Sequence, residues 1–245
     1  MVGQPTFGVA LETPGTLATD HIAELLRPSE YTAALIQGLR RRAGWVRGAN
    51  VLEIGSGSGV VLSALGALDA ASLCGIDIEG AAVAAAAVLL HQQGYTGISE
   101  IHHGDLWSPV AGRRFDLIVA NLPHFAMEPT ELPGRLPSWS DGGLDGRRVL
   151  DRFLAGLGAH LSPRGRAVIT HNAFVGLDLS RAALAPQELS LRIAATTLVH
   201  LPAARRLAMT PAVLKREQNR TIHRFGPYTF AEMHVVEIGR AAALC

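Results

Sequence analysis

The nine residues Val51-Leu52-Glu53-Ile54-Gly55-Ser56-Gly57-Ser58-Gly59 restrict the fold of this chain more than any other stretch. A short run of branched apolar residues reads as a buried strand. The glycines read as a turn into a helix over Val60 to Leu68. Glycine suits such a turn because positive φ costs it nothing and because a side chain would block a ligand approaching the backbone. The spacing narrows the ligand class. A dinucleotide loop reads G-x-G-x-x-G and would place its third glycine at position 60, where Val60 stands.

The rest of the chain repeats the strand–turn–helix rhythm. Strands are expected at Asn50–Ile54, Ser72–Asp77, Ile98–His102, Phe115–Ala120 and Arg166–His171, with helices at Val60–Leu68, Gly80–Gln93 and Arg147–Leu161. Alternation at this pace implies an α/β fold, a Rossmann-like doubly wound parallel sheet. A late pair, Ala195–His200 and Glu232–Ile238, is expected to close it as an antiparallel hairpin-like edge. Ahead of the first strand, Met1 to Leu17 is punctuated by Pro and Gly and reads as loosely held. Asp20–Leu26 and Glu30–Ala43 have helical spacing broken at Pro28. Residues 1–44 are therefore read as an N-terminal helical segment and 45–245 as the main domain.

In such sheets ligands bind beyond the carboxyl ends of the strands. Leu73-Cys74-Gly75-Ile76-Asp77 ends in an acid 22 residues after Gly55, the position whose carboxylate meets ribose hydroxyls in Rossmann-like units. Ile78 follows it, beside the expected adenine. The alternative is that Asp77 only caps the Ala-rich helix behind it. The fourth strand runs into Asn121-Leu122-Pro123-His124, which would face the same crevice as Gly55, Gly57 and Gly59.

The E-x-G-x-G-x-G pattern from Glu53 to Gly59 resembles the first motif of class I S-adenosylmethionine (SAM) methyltransferases, which form a seven-strand sheet. Asn121-Leu122-Pro123-His124 resembles the [NDS]-P-P-[YFW] motif of amino-methyltransferases, with Leu122 as in the N-L-P-Y of RNA adenine dimethyltransferases. That resemblance implies that the Asn121 side-chain oxygen and a backbone carbonyl next to Pro123 accept hydrogen bonds from the target NH2. An amide nitrogen has a delocalised lone pair, so holding it in line with the methyl lowers the barrier through restricted entropy. His124 stands where the family has an aromatic, and stacking, a base or a filler of the loop are its three readings.

Gly104-Asp105-Leu106-Trp107 is similar to the G-D-L-F segment near the adenine amino group, and Pro28-Ser29-Glu30-Tyr31-Thr32 to the P-x-E-x-T segment at the cofactor entrance. Ser140 to Gly146, Asp151-Arg152-Phe153 and Leu161-Ser162-Pro163-Arg164-Gly165 resemble the G-G-x-x-G…D-R-F…L-S-P-R-G run of HemK-like glutamine methyltransferases. The resemblance spans roughly residues 25 to 172. It implies SAM as cofactor, S-adenosyl-L-homocysteine as product, and cofactor contacts from Thr32, Glu53, Gly55, Gly57, Gly59, Asp77, Ile78, Asp105, Leu106 and Asn121. Asn121, Pro123 and His124 would form the catalytic motif. The implied reaction is methyl transfer to an amide or amine nitrogen of a protein glutamine or a small molecule. A biosynthetic small-molecule methyltransferase, an RNA adenine methyltransferase and a non-catalytic SAM-binding scaffold are the alternatives.

Composition sets the outer bounds. With 245 residues, 48% of them hydrophobic, one sizeable α/β domain is expected. A formal net charge of +1 predicts no strong global attraction to nucleic acid. Arg40-Arg41-Arg42 and the group Lys215, Arg216, Arg220, His223 and Arg224 could meet phosphates or an acidic partner, or simply form solvated faces. Two distant cysteines, Cys74 and Cys245, make no disulfide framework and no zinc site, so no metal is expected. No leader-like segment opens the sequence and no apolar run reaches bilayer length, so a cytoplasmic protein without membrane contact is expected.

Overall fold

The computed structural model describes residues 27–127 and 139–244. The expected helix Asp20–Leu26, the segment Met1–Leu17 and Cys245 lie outside them. The described elements run α1 (Glu30–Arg41), α2 (Ala43–Val46), β1 (Asn50–Ile54), α3 (Val60–Gly66), β2 (Ser72–Asp77), α4 (Gly80–Gln92), β3 (Ser99–His103) and β4 (Phe115–Ala120). There follow α5 (Arg148–His160), β5 (Leu161–Asn172), α6 (Leu177–Leu184), β6 (Ser190–His200), α7 (Ala203–Ala208), α8 (Pro211–Glu217), β7 (Ile222–Phe225), β8 (Tyr228–Gly239) and α9 (Ala241–Leu244).

Strands covered on both faces are buried at successive positions, and β1, β2 and β4 are, apolar there except at Glu53 and Asp77. Alternate residues then feed two cores. Leu52, Ile54, Ile76 and Ile118 enter the core shared with α5. Val51, Leu73, Leu117 and Val119 enter the other, with Leu62 and Leu65 of α3 and Leu35 and Leu39 of α1. Burying this second face holds α1 against the sheet, its Glu30 in the first turn and Arg40 and Arg41 in the last complementing the helix dipole.

The strand order is β3-β2-β1-β4-β5-β8-β6. Pairing is parallel from β3 to β5, while β8 is antiparallel to both β5 and β6. Chain progression reverses between β1 and β4, which opens a crevice at the carboxyl ends of these two strands. This is the class I order, with a short eighth strand, β7, paired to β8.

The expected closing hairpin is corrected in one respect. Glu232–Ile238 lies inside the sheet between β5 and β6, because Met233, Val235, Val236 and Ile238 are all buried and need neighbours on both sides. β6 buries only Leu191 and Val199 and takes the edge. Both strands are also longer than their apolar patterns suggest.

Candidate active site

The glycine turn leaves β1 with positive φ at Gly55, Gly57 and Gly59. The three glycines do different work. A Cβ at Gly57 would meet nothing within 4 Å, so backbone is presented to open space. A Cβ at Gly59 would sit 2.9 Å from Ala86, so this glycine lets α3 approach α4. Gly59 does not line the cavity that the turn encloses.

That cavity measures about 370 Å³, within the ~300–1,000 Å³ range of small-molecule sites. Thr32, Glu53, Gly55, Gly57, Asp77, Ile78, Asp105, Leu106, Asn121 and Pro123 all border it. Asp77 Oδ2 accepts the Gly57 N–H at 2.8 Å and Oδ1 accepts the Glu79 N–H at 3.0 Å. The acid thus clamps the glycine turn onto the end of β2, and each oxygen keeps a second lone pair. It is not the helix cap of α4, which has no side-chain cap bond at its N-cap Glu79. Burial raises the Asp77 pKa, partly offset by these N–H bonds.

Glu53 is buried beneath the turn. Desolvation, then the charge of Asp77, pushes its carboxyl well above the usual range, and the Leu62 N–H in the first turn of α3 opposes them. Its Oε2 and the Ser56 hydroxyl are buried without a hydrogen-bond partner in a cavity-lining stretch. Orphaned polar atoms beside an open glycine backbone are what a polar, cationic ligand such as SAM requires. The residues present therefore fit that cofactor.

Sequence reading missed several walls of this cavity. Arg152 pairs with Asp105 at 2.6 Å and Arg148 with Asp141 at 2.9 Å, bringing the start of α5 to the adenine side expected for Asp105. Trp139 and Val149 also border it. The sequence carried only a faint signal for them, the D-R-F stretch after the glycine-rich loop.

A second cavity of about 60 Å³ adjoins the first, sharing Ser29, Asn121, Leu122, Pro123 and Trp139 with it. His124, Tyr31, Asn172 and Arg205 are among its other borders. The end of β5 holds this region together. Thr170 donates its hydroxyl to Asn121 Oδ1 at 2.7 Å, and Asn172 Oδ1 accepts the Tyr31 hydroxyl at 2.8 Å. The Asn172 amide reaches the His124 carbonyl at 3.4 Å. Neither Thr170 nor Asn172 was marked by any motif.

His124 is 3% exposed, and neither ring nitrogen reaches a partner at normal geometry. Burial lowers its pKa to about 4, the Leu122 backbone offsetting a little of that. The ring meets Tyr31 edge-on, centroids 5.9 Å apart. Behind it lies His171, also buried, lowered to about 3 by burial and by the neighbouring His124 and Arg147, its Nε2 2.9 Å from the Ser180 hydroxyl.

The Gly142–Gly146 stretch is strapped to the Asn121 loop. Gly142 N–H donates to Phe125 O, Phe125 N–H to Ser140 O, and Met127 N–H to Gly143 O. Gly146 has φ +78° and a Cβ there would sit 2.6 Å from Val175 and 3.0 Å from the His124 carbonyl, so only glycine lets the two loops touch. Arg147 fixes the strap from below through the Val175 carbonyl and Asp151.

Away from the cavities, Cys74, Glu100 and His102 bring possible ligand atoms within 4.8 Å of one another. The Arg113 guanidinium already bonds Glu100, and burial lifts the Cys74 thiol to about 12, so a cation is supplied there by the chain itself.

Comparison with known proteins bears on the family. Residues 29–132 match the family described as "Methyltransferase small domain". Human methyltransferase HEMK2 is 33% identical over 161 residues, covering 62% of this chain and 73% of that protein. The ribosomal protein uL3 glutamine methyltransferase of Bradyrhizobium diazoefficiens is 32% identical over 121 residues, 47% of this chain; the match spans only 38% of that relative's length. Among solved structures, the E. cuniculi Mtq2–Trm112 complex shares the fold at TM-score 0.57 and 17% identity, covering 88% of this chain and 98% of that one. A relative 33% identical and matched over nearly three quarters of its length places the chain in the HemK-like family of SAM-dependent methyltransferases.

Proposed function

We propose that this methyltransferase transfers the SAM methyl to the side-chain amide nitrogen of a protein glutamine. The observation that carries the reading is Asn121. It stands at the junction of the large and small cavities with its side-chain oxygen held by Thr170.

When bound, SAM supplies a methyl group on a positive sulfonium, and its transfer to nitrogen leaves S-adenosylhomocysteine. Asp77 would hold the ribose hydroxyls, Gly57 the open backbone edge, and Glu53 with Ser56 the cationic end. Asp105 and Ile78 would border the adenine, with Leu106 beneath and Thr32 at the entrance. Asn121 has one lone pair of Oδ1 engaged by Thr170 and one left for an acceptor N–H. A carbonyl next to Pro123 would take the second hydrogen. Two fixed acceptors aim the nitrogen lone pair down the large cavity. The sulfonium would supply its methyl to the nitrogen held at Asn121, the new N–C bond replacing the broken C–S bond and the surplus N–H proton passing to solvent. Burial lowers the proton affinity of His124 and so weakens it as a base, and its edge-on contact with Tyr31 suits it to serve as a ring wall.

The size of the small cavity supports a side-chain terminus as acceptor. At about 60 Å³ it is less than half of the ~150 Å³ engineered cavity that admits benzene, so a nucleobase enters only if the walls move. The glutamine methyltransferase named above adds weight to the amide. Translation components would place the protein in the cytoplasm, and among the described residues no helix is long and apolar enough to cross a membrane.

The test is incubation with methyl-labelled SAM and a ribosomal and translation-factor protein fraction, followed by peptide mass spectrometry. Label on a glutamine side chain is the expected result. Label confined to RNA or to small molecules would overturn the assignment.

A further inference from the structure

Among the described residues that border the small cavity, one carries a permanent charge, Arg205. It is held there from both ends of α7. Ahead of the helix the Leu201 N–H donates to the Thr229 carbonyl of β8. Behind it the Thr210 N–H donates to the Ala126 carbonyl at 3.1 Å, and Met209 bridges to Met127. The helix is thus clipped to the loop that carries Asn121. Ala203, Ala204, Arg206 and Leu207 are exposed, while Ala208 is buried and Arg205 half-buried, so one side of α7 faces inward. The Arg205 guanidinium lies 5.9 Å from the centroid of Phe125, itself a wall of the cavity.

The chain neutralises the cations that face the larger cavity from α5, Arg148 with Asp141 and Arg152 with Asp105. Arg205 has no carboxylate partner and no side-chain hydrogen bond among the described residues, only the ring of Phe125. An acceptor that fills so small a cavity strips water from the guanidinium. A neutral acceptor would leave this cation facing Phe125, Pro123 and Leu122 with its donors unmet, which is costly. A carboxylate meets the planar fork with two parallel N–H bonds. One unpaired cation calls for one negative charge, which favours a carboxylate over a doubly charged phosphate.

We infer that Arg205 forms a carboxylate subsite beside Asn121. The glutamine methylated is then one with a carboxylate close to its side-chain amide, supplied by an acidic neighbour in the peptide or by the peptide's own C-terminus. The inference deepens the glutamine reading and rests on it for methyl transfer, though not for binding.

The experiment measures short fluorescent glutamine peptides by anisotropy against protein saturated with S-adenosylhomocysteine. In three peptides the glutamine is followed by aspartate, asparagine or lysine. Two more end at the glutamine, one as the free carboxylate and one as the amide. A carboxylate form should bind about five- to twentyfold tighter than its amide counterpart, the range for a charge-assisted pair that is partly exposed. Preference in the internal pair assigns the acidic neighbour, and preference in the terminal pair assigns the chain end. Arg205→Leu should abolish the preference, and Arg205→Glu should reverse it in favour of lysine, which a merely structural role for Arg205 would not produce. Calorimetry with S-adenosylhomocysteine reports that each variant is folded, and Arg205→Leu decides if the charge reversal is not. The same order should then appear in kcat/KM with methyl-labelled SAM. Failure of every carboxylate peptide to bind, equal affinity within both pairs, or a preference that survives Arg205→Leu would each overturn the inference. Label on neutral peptides without any preference would overturn the subsite and leave glutamine methylation standing. A preference in binding that Arg205→Leu abolishes, with no label on glutamine, would support the subsite and overturn glutamine methylation.

Discussion

Burial of His124 has a cost that pH exposes. Its pKa is about 4 in the folded chain against 6.5 when unperturbed, so the unfolded chain binds more protons throughout that window. The associated stability is complete above pH 6.5 and is lost as pH falls toward 4. Between pH 7 and pH 5 the linkage relation gives a loss of about 2 kcal/mol from this one side chain. His171, lowered to about 3, adds a loss of the same sign. Glu53 runs the other way. Its raised carboxyl keeps a proton in the folded chain that the unfolded chain releases, so its stabilisation declines as pH rises above its ordinary value. The net pH dependence is thus a sum of opposed terms, and the comparison with His124→Phe isolates one of them. Urea unfolding followed by circular dichroism at pH 7 and pH 5 should show the wild type losing about 2 kcal/mol more than His124→Phe. Equal losses would refute a buried neutral imidazole. The same variant tests the chemistry: it should keep most methyl transfer, and the wild-type rate should show no inflection near pH 6.5. A crippled Phe variant would restore the base.

Asp77→Ala should weaken S-adenosylhomocysteine binding by roughly ten- to a hundredfold in calorimetry, since the charge-assisted bonds proposed to the ribose would be lost together with the clamp on Gly57. Asn121→Ala should leave donor affinity near wild type while lowering the transfer rate by about a hundred- to a thousandfold, and unchanged turnover would sink the orienting role. Thr170→Val should lower kcat roughly tenfold without altering donor affinity, and Thr170→Ser should restore it, because only the hydroxyl touches Asn121. Gly59→Ala should destabilise the fold by at least about 1–2 kcal/mol in thermal or urea unfolding. A left-handed residue would then carry a Cβ 2.9 Å from Ala86.

The half of the molecule proposed to hold the donor was legible in the sequence because its parts are local. Gly55 and Asp77 lie on neighbouring strands of one βαβ unit, and the bond between Gly57 and Asp77 spans only 20 residues. Periodicity alone assigns such a unit. The edge of the sheet was not legible in the same way. An apolar strand such as β8 shows that it is buried on both faces but not which strands flank it, and β7, with its sequence I-H-R-F, is too short and too polar to announce itself.

The acceptor half is assembled over much longer separations. Tyr31 meets Asn172 across 141 positions and Thr170 meets Asn121 across 49. No spacing rule reaches that far, and a threonine or asparagine at the end of a strand has many ordinary uses. The charge distribution was hidden for a related reason. A net charge is a sum over the chain, and here residues 203–226 alone hold six basic side chains against one acidic, while Arg205 borders the small cavity with Asn172. The donor site rests on a loop and a strand end that need each other, Gly57 to Asp77. The acceptor side instead hangs on side chains of β5 that can change one at a time. Substitution at Thr170 or Asn172 is therefore the expected route by which this fold would exchange one methyl acceptor for another while keeping its donor.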